Sequence, residues 1–219
     1  MKILITGTSS GIGRETAIKF LKEGHRVIGL DIADSSIKDD RYTHIICDVG
    51  NEKELPEIND IEIIINNAGC IEDEKAIKTN LIGYINVAEK YSFQNNIKSV
   101  INVGSISGVV GLDTPCYSAS QGGRIAYTKN LAIRLGNAYR ANVNCVSFGA
   151  VMTGLEPNLY AEKKLVEAVA NENLLKKWIT TEEASEWIYF VAVINKSMTG
   201  QNILIDNGEE ANYNFIECR

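Results

Sequence analysis

A run of glycines and a few scattered polar side chains carry the chemistry open to this chain. Gly7, Gly11 and Gly13 punctuate Thr6-Gly7-Thr8-Ser9-Ser10-Gly11-Ile12-Gly13. Glycine permits a tight turn and close approach of backbone to a pyrophosphate. A helix that follows presents unsatisfied N–H groups and the positive end of its dipole. Asp31 comes 18 residues after Gly13. A carboxylate there can accept both ribose hydroxyl hydrogens and would repel a 2′-phosphate, which predicts NAD in preference to NADP. A solvated aspartate at a loop edge is the plainer alternative. Asp48 can accept an adenine amino hydrogen or cap a turn. Asn66-Asn67-Ala68-Gly69 combines small residues with carboxamides able to bond neighbouring strands. Tyr117 and Gln121 stand about one helical turn apart, Ser105 lies 12 residues before Tyr117, and Asn80 sits in an earlier stretch. Phenol, hydroxyl and carboxamide become neighbours only if the fold closes around them.

The elements that must position these groups alternate along the chain. Residues 2–6 read as a strand, 14–23 as a helix stopped by Gly24, and 26–30 as a second strand ending at Asp31. A β–turn–α–β pattern over about 30 residues points to parallel strands with a right-handed crossover. Further strands are expected over 43–47, 61–65, 99–103, 141–147 and 202–206. Helices are expected over 74–94, 115–137 and 159–176, with a last one running from a Thr180/Glu183 capping box to about 194. Residues 32–42, 104–114 and 148–158 read as loops. The expected fold class is α/β: one doubly wound Rossmann domain over 1–219, about seven parallel strands with helices on both faces. Segment 154–178 is a candidate substrate lid through Leu155, Leu159, Leu165 and Val166, or else an ordinary packed amphipathic helix.

Composition narrows the functions. Apolar residues make up 45% of 219 and charged residues 23%, as in an ordinary globular protein rather than a disordered one. The formal charge of −6 comes without a dense basic patch, so no nucleic-acid partner is expected. The apolar runs fall short of a membrane span, and Met1-Lys2 leads straight into Ile3-Leu4-Ile5, so neither membrane nor signal peptide is expected. Five cysteines without a CxxC pair suit a reducing cytoplasm, and two histidines, His25 and His44, offer no metal site. Cys116 beside Tyr117 has no nearby histidine to activate it and reads as an ordinary thiol.

Taken together and in order, these motifs resemble the classical short-chain dehydrogenase/reductase family. The glycine run corresponds to that family's TGxxxGIG turn, joined by Asp48-Val49, Asn66-Asn67-Ala68-Gly69, helical Asn80, Ser105 in Ile101–Gly108, Tyr117-Ser118-Ala119-Ser120, and Asn144–Gly149 with Thr153. Met198-Thr199-Gly200-Gln201 through Asp206 and Gly208 resembles the family's last strand, so the likeness covers residues 2–208. It implies hydride transfer between nicotinamide and an alcohol or carbonyl. Tyr117 would be general acid/base, Ser105 would polarise the substrate oxygen, and Asn80 would support a water-linked proton path. It also implies a homodimer or homotetramer. The dinucleotide-binding set it implies is Gly7, Ser9, Ser10, Gly11, Ile12, Gly13, Asp31, Ile32, Asp48, Val49, Asn67, Ala68, Gly69, Tyr117, Gln121, Gly149, Val151 and Thr153.

Two positions depart from the pattern. The family motif is Tyr-x-x-x-Lys, whose lysine binds nicotinamide ribose and lowers the tyrosine pKa. Here that position is Gln121, which can bond ribose but carries no charge. A cation within about 4–6 Å lowers such a pKa by roughly 1–3 units, so its loss implies slowed alcohol oxidation near neutrality. Arg124 shares the Tyr117 side of the helix and is the candidate replacement, while Lys129 lies too far along. The expected function is therefore a weakened oxidoreductase, with a nearly inactive dinucleotide-binding sensor or scaffold as the alternative. Phe148 replaces the usual proline before Gly149 and is expected to fill the nicotinamide-side wall.

Overall fold

The computed structural model describes residues 1–154 and 161–212, which places Leu155, Leu159 and Cys218 outside the described residues. Seven strands form one sheet: β1 (Lys2–Thr6), β2 (Arg26–Asp31), β3 (Tyr42–Ile46), β4 (Ile63–Asn66), β5 (Ser99–Ser105), β6 (Asn142–Phe148) and β7 (Asn202–Ile205). Their order is β3-β2-β1-β4-β5-β6-β7, and every pairing is parallel. The order reverses between β1 and β4. Ligands of open parallel sheets bind at the carboxyl ends of the strands flanking such a reversal.

Helices cover both faces, as the apolar character of the central strands requires. On one face α1 (Gly11–Lys22) packs beside α7 (Thr181–Tyr189) over a core that includes Ile3, Ile5, Phe20, Ile65, Val146 and Ile188. On the other, α3 (Gly83–Tyr91) and α5 (Pro115–Tyr139) cover Leu4, Ile64, Val87, Tyr91, Val100 and Leu131. α7 begins with the expected capping box: Thr180 Oγ1 accepts from Glu183 N at 3.1 Å, and Glu183 Oε2 accepts from Thr180 N at 2.9 Å. The helix expected over 159–176 is present as α6 (Lys163–Glu172), and Trp178 Nε1 donates to its Val166 carbonyl at 2.9 Å.

Three expectations of local structure are corrected. β4 starts at Ile63 rather than 61, because Asp60 takes a left-handed φ of 60° and the Ile61 N–H goes to Gln94 Oε1 at 3.0 Å. The 74–94 helix is not regular: α2 (Asp73–Ala76) and α3 are joined through a π-helical turn, Ile77–Ile82. The 104–114 loop contains one helical turn, α4 (Ser107–Val110), ended by Gly111 at φ 74°.

Candidate functional site

One end of the candidate site is built around the turn after β1. Gly7 and Gly11 have φ of 75° and 54°, a region open to glycine and strained for other residues. A Cβ on Gly13 would sit 2.0 Å from the Gly7 carbonyl oxygen, so this third glycine is a packing requirement as well. Asn67 clamps the turn from β4. Its Nδ2 donates to the Thr6 and Gly7 carbonyls at 3.1 and 3.3 Å, while Thr6 Oγ1 accepts from Asn67 N and Ala68 N, both at 2.9 Å. Asn67 and Ala68 thus shape the cradle by holding β1 to β4. The α1 N-terminus has no side-chain cap at Ser10 and no acidic residue in its first turn, which leaves N–H groups for an anion. Ser10 is exposed and Ile12 half-buried beneath it.

Asp31 ends β2, but both its oxygens hold backbone. Oδ2 accepts from Ser9 N at 2.9 Å and Oδ1 from Ala33 N at 3.0 Å, with the Ser9 hydroxyl donating to the Ala33 carbonyl at 2.8 Å. Ile32 is 74% exposed at this edge. Asp48 is a turn-capping residue: Oδ1 accepts from Gly50 N at 2.8 Å, and Oδ2 pairs with Lys78 Nζ at 3.2 Å. Val49 is buried, where a Cβ on Gly83 would meet its Cγ2 at 2.8 Å.

The other candidate residues are Ser105, Tyr117, Gln121 and Asn80. Ser105, at the end of β5, accepts from Ser107 N at 3.2 Å, and its hydroxyl is 3.2 Å from that of Ser107, which in turn donates to Asp113 Oδ2. Tyr117 is half-buried in the first turn of α5. Its N–H and that of Cys116 both go to Asp73 Oδ1, at 3.1 and 2.7 Å, so α2 caps the helix that carries the tyrosine. The Thr114 hydroxyl and then these N–H groups hold the Asp73 carboxyl below its usual range. This cap escaped the sequence reading because Asp73 lies 43 and 44 residues from the groups it holds. Gln121 is 1% exposed and Arg124 4%. Arg124 Nη1 donates to Gln121 Oε1 at 2.9 Å and to the Val103 carbonyl at 2.7 Å, while Nε donates to the Asn80 carbonyl. A guanidinium only donates, so it fixes which end of the Gln121 carboxamide faces it.

Asn80, in the π turn, is fully buried. Its Oδ1 accepts from Cys70 N at 2.9 Å and its Nδ2 donates to the Cys70 carbonyl at 2.9 Å. The side chain therefore braces the loop after Gly69, its Nδ2 also donating to Ser120 Oγ on α5 at 3.4 Å, while the Asn80 carbonyl accepts from Arg124. A second ladder, Asn66 Nδ2 to Asn102 Oδ1 at 3.1 Å and Asn102 Nδ2 to Thr128 Oγ1 at 2.9 Å, ties β4 and β5 to α5 beneath. Gly149 lets Glu209 approach, since a Cβ there would lie 2.8 Å from Glu209 Oε2. Burial, reinforced by Asp206, raises the Glu209 carboxyl pKa. Val151 bridges Ile179, and Thr153 lies against the glycine turn, 3.4 Å from where a Gly11 Cβ would be. Phe148 is not a wall of the cleft: it is 3% exposed, in the core beneath α1 and α7. Among the described residues no group of histidine, cysteine and carboxylate side chains could hold a metal, and no helix is long and apolar enough to cross a membrane.

Comparison with known proteins agrees with this geometry. The family model described as Enoyl-(Acyl carrier protein) reductase matches residues 7–210. The 3-oxoacyl-[acyl-carrier-protein] reductase FabG of Thermotoga maritima is 32% identical, over 94% of this chain and 96% of its own. A short chain dehydrogenase family protein of Francisella tularensis superposes with a TM-score of 0.86 at 26% identity, covering 96% of this chain and 98% of that one. The same fold in ElxO, 21% identical with a TM-score of 0.82 over 96% and 98% of the two chains, was solved with NADP bound. The expected preference for NAD over NADP is thereby corrected. The fold accepts the phosphorylated dinucleotide, and both oxygens of Asp31 already hold backbone N–H groups.

Proposed function

The chain belongs to the short-chain dehydrogenase/reductase superfamily, whose general activity is NAD(P)-dependent oxidoreduction, and we propose that it transfers hydride between a nicotinamide dinucleotide and a small carbonyl or alcohol substrate. The observation that supports the reading is a cradle that a side chain on Gly13 would fill, beside the strand-order reversal, on a chain that also carries Ser105 at the end of β5 and Tyr117 in the first turn of α5, with Gln121 and the Asn80 carbonyl joined through Arg124.

The cradle suits a pyrophosphate, with Gly7, Gly11 and Gly13 giving backbone approach and the uncapped α1 N-terminus giving donors. Ala68, Gly69, Gly149, Val151 and Thr153 border the way from there to Tyr117, with Ser9, Ser10, Ile12, Asp31, Ile32, Asp48 and Val49 toward the adenosine. When bound, the nicotinamide supplies or takes the hydride. This chain's residues manage the proton. Tyr117 delivers it to the substrate oxygen in reduction and removes it in oxidation, and Ser105 donates a hydrogen bond to that oxygen as charge develops on it. Gln121 holds ribose hydroxyls without contributing charge, so proton transfer is weaker than a lysine at its place would make it.

A second reading has one observation in its favour. Gln121 is almost wholly buried and its oxygen is taken by Arg124, an arrangement compatible with a dinucleotide-binding protein that turns over little. Hydride exchange over pH 6–11 with a panel of carbonyls and alcohols, alongside dinucleotide binding, separates the two. Turnover abolished by Tyr117→Phe supports the enzyme. Binding without turnover supports the second reading, and absence of dinucleotide binding defeats both. The superfamily likeness further suggests a homo-oligomer, which light scattering tests.

A further inference from the structure

Arg124 is a buried cation with no ion pair among the described residues. Three other guanidiniums sit by carboxylates: Arg134 by Glu89 at 2.6 Å, Arg14 by Glu15 at 2.6 Å and Arg41 by Asp39 at 2.8 Å. Arg124, at 4% exposure, meets neutral groups among the described residues: the carbonyls of Asn80 and Val103, the Gln121 carboxamide, and the face of Tyr84, whose centroid is 3.7 Å from the guanidinium carbon. Its Nη2 has no hydrogen-bond partner among the described residues. A Cβ on Gly69 would lie 3.4 Å from Nη2 and 3.1 Å from Asn80 Oδ1, and Gly69 itself is exposed. The unpaired nitrogen thus stands directly behind the cleft wall on the Tyr117 face of α5. A buried charge lacking a partner is among the costlier features a fold can carry. An oxyanion that forms during the reaction would offset that cost.

We propose that Arg124 is a positioning residue for the reaction: it provides, from behind Gln121, the positive charge that favours the Tyr117 phenolate, and it fixes the carboxamide of Gln121 for the ribose. The inference rests on the functional reading above, in which Tyr117 handles the proton. The titratable groups facing this region are Asp73 from α2, Tyr84 from α3, Asp113 from the segment before α5, Cys145 from β6, and Cys70 beside Asn80. Tyr84 senses both Arg124 and Tyr117. Among these groups Arg124 carries the positive charge, and a guanidinium keeps it throughout the range in which proteins stay folded.

The tyrosinate absorbance of the intact chain, titrated with pH and corrected by the same titration of Tyr117→Phe, reads the Tyr117 midpoint without substrate. Burial pushes Tyr84, Tyr91 and Tyr127 strongly upward, which keeps them out of that window. In Arg124→Met the Tyr117 midpoint should rise by about one unit or more, and in Arg124→Lys by less. An unchanged midpoint in Arg124→Met, with circular dichroism and dinucleotide Kd preserved, overturns the proposal. Should Arg124→Met fail to fold, a charge relocation in folded chains decides. Gln121→Lys alone introduces an ammonium beside Arg124, whose Nη1 is 2.9 Å from Gln121 Oε1, and should lower kcat/KM or leave it flat, whereas Gln121→Lys with Arg124→Met, which relocates the single charge, should exceed it. A gain of about tenfold from Gln121→Lys in the Arg124 background means that no charge was being supplied, and overturns the proposal. A midpoint that shifts as expected in a chain without turnover defeats the enzymatic reading alone. Turnover with an immovable midpoint defeats this inference alone.

Discussion

At the two ends of one cleft the polar groups are spent differently. Around the glycine turn they are committed inward: Asp31 to Ser9 and Ala33, Asn67 to Thr6 and Gly7, Asp48 to Gly50 and Lys78. On α5, the helix that carries Tyr117, a buried guanidinium keeps a nitrogen with no hydrogen-bond partner among the described residues, beside the neutral carboxamide of Gln121. Backbone satisfied in advance makes a rigid cradle, suited to a ligand part that does not react. A group left unsatisfied in a nearly dry site stores an interaction for a charge that appears only during reaction.

Four experiments sharpen or break this contrast. The largest effect is expected from Tyr117→Phe, which should reduce turnover roughly 10²–10⁴-fold while dinucleotide Kd stays within about threefold, because proton transfer is lost and the cradle is untouched. A comparable loss of binding would dissolve the division between the two ends. Gly13→Ala should do the converse through a Cβ placed 2.0 Å from the Gly7 carbonyl. Dinucleotide affinity should fall at least about tenfold and stability by about 1–3 kcal/mol, read by fluorescence titration and denaturant melts. Asp73→Ala should lower turnover by less than Tyr117→Phe, since it only frays the first turn of α5. Because the native carboxyl titrates below its usual range, its stabilisation is fully present above about pH 4 and disappears as pH falls through the native value. Wild type and variant should therefore melt apart at pH 7 and together near pH 2. Glu89→Gln is the smallest. Glu89 holds Arg134 at 2.6 Å and Tyr127 at 2.9 Å, the arginine bond being the main reason its carboxyl is depressed. At 40% exposure the pair is well screened, so the loss should be about 0–1 kcal/mol at pH 7 and vanish below about pH 4, with turnover unchanged.

The cradle was legible because its determinants are local. Gly7, Gly11 and Gly13 act within one turn, alternation of apolar strands and helices sets the sheet, and Thr180 and Glu183 bond across three residues. Asp31 shows a related limit: its position at the strand end is readable, but whether its oxygens face a ribose or the Ser9 and Ala33 amides depends on the path of the next loop. Around α2 and α5 the partners are distant. Arg124 meets Asn80 and Val103 from 44 and 21 residues away, and Asp73 reaches α5 from 43. Helical spacing put Arg124 on the side of Tyr117, but its missing counter-charge is a property of tertiary packing. Phe148 shows the same limit, since a residue at a strand end can point into the core or into the cleft.

The π turn at Ile77–Ile82 has a consequence for how this chain tolerates insertions and deletions. A widened turn is equivalent to one extra residue in an otherwise regular helix. Deleting a single residue there would restore the ordinary ladder with the flanking turns in place, whereas deleting one from the regular first turn of α3, which has none to spare, would rotate everything before it by about 100° relative to the rest of α3. Asp73 would swing away from the start of α5, and Asn80 from Cys70 and Arg124. A length change of one residue, far from any glycine of the cradle, would thus disconnect both supports of the tyrosine helix while leaving the sheet whole.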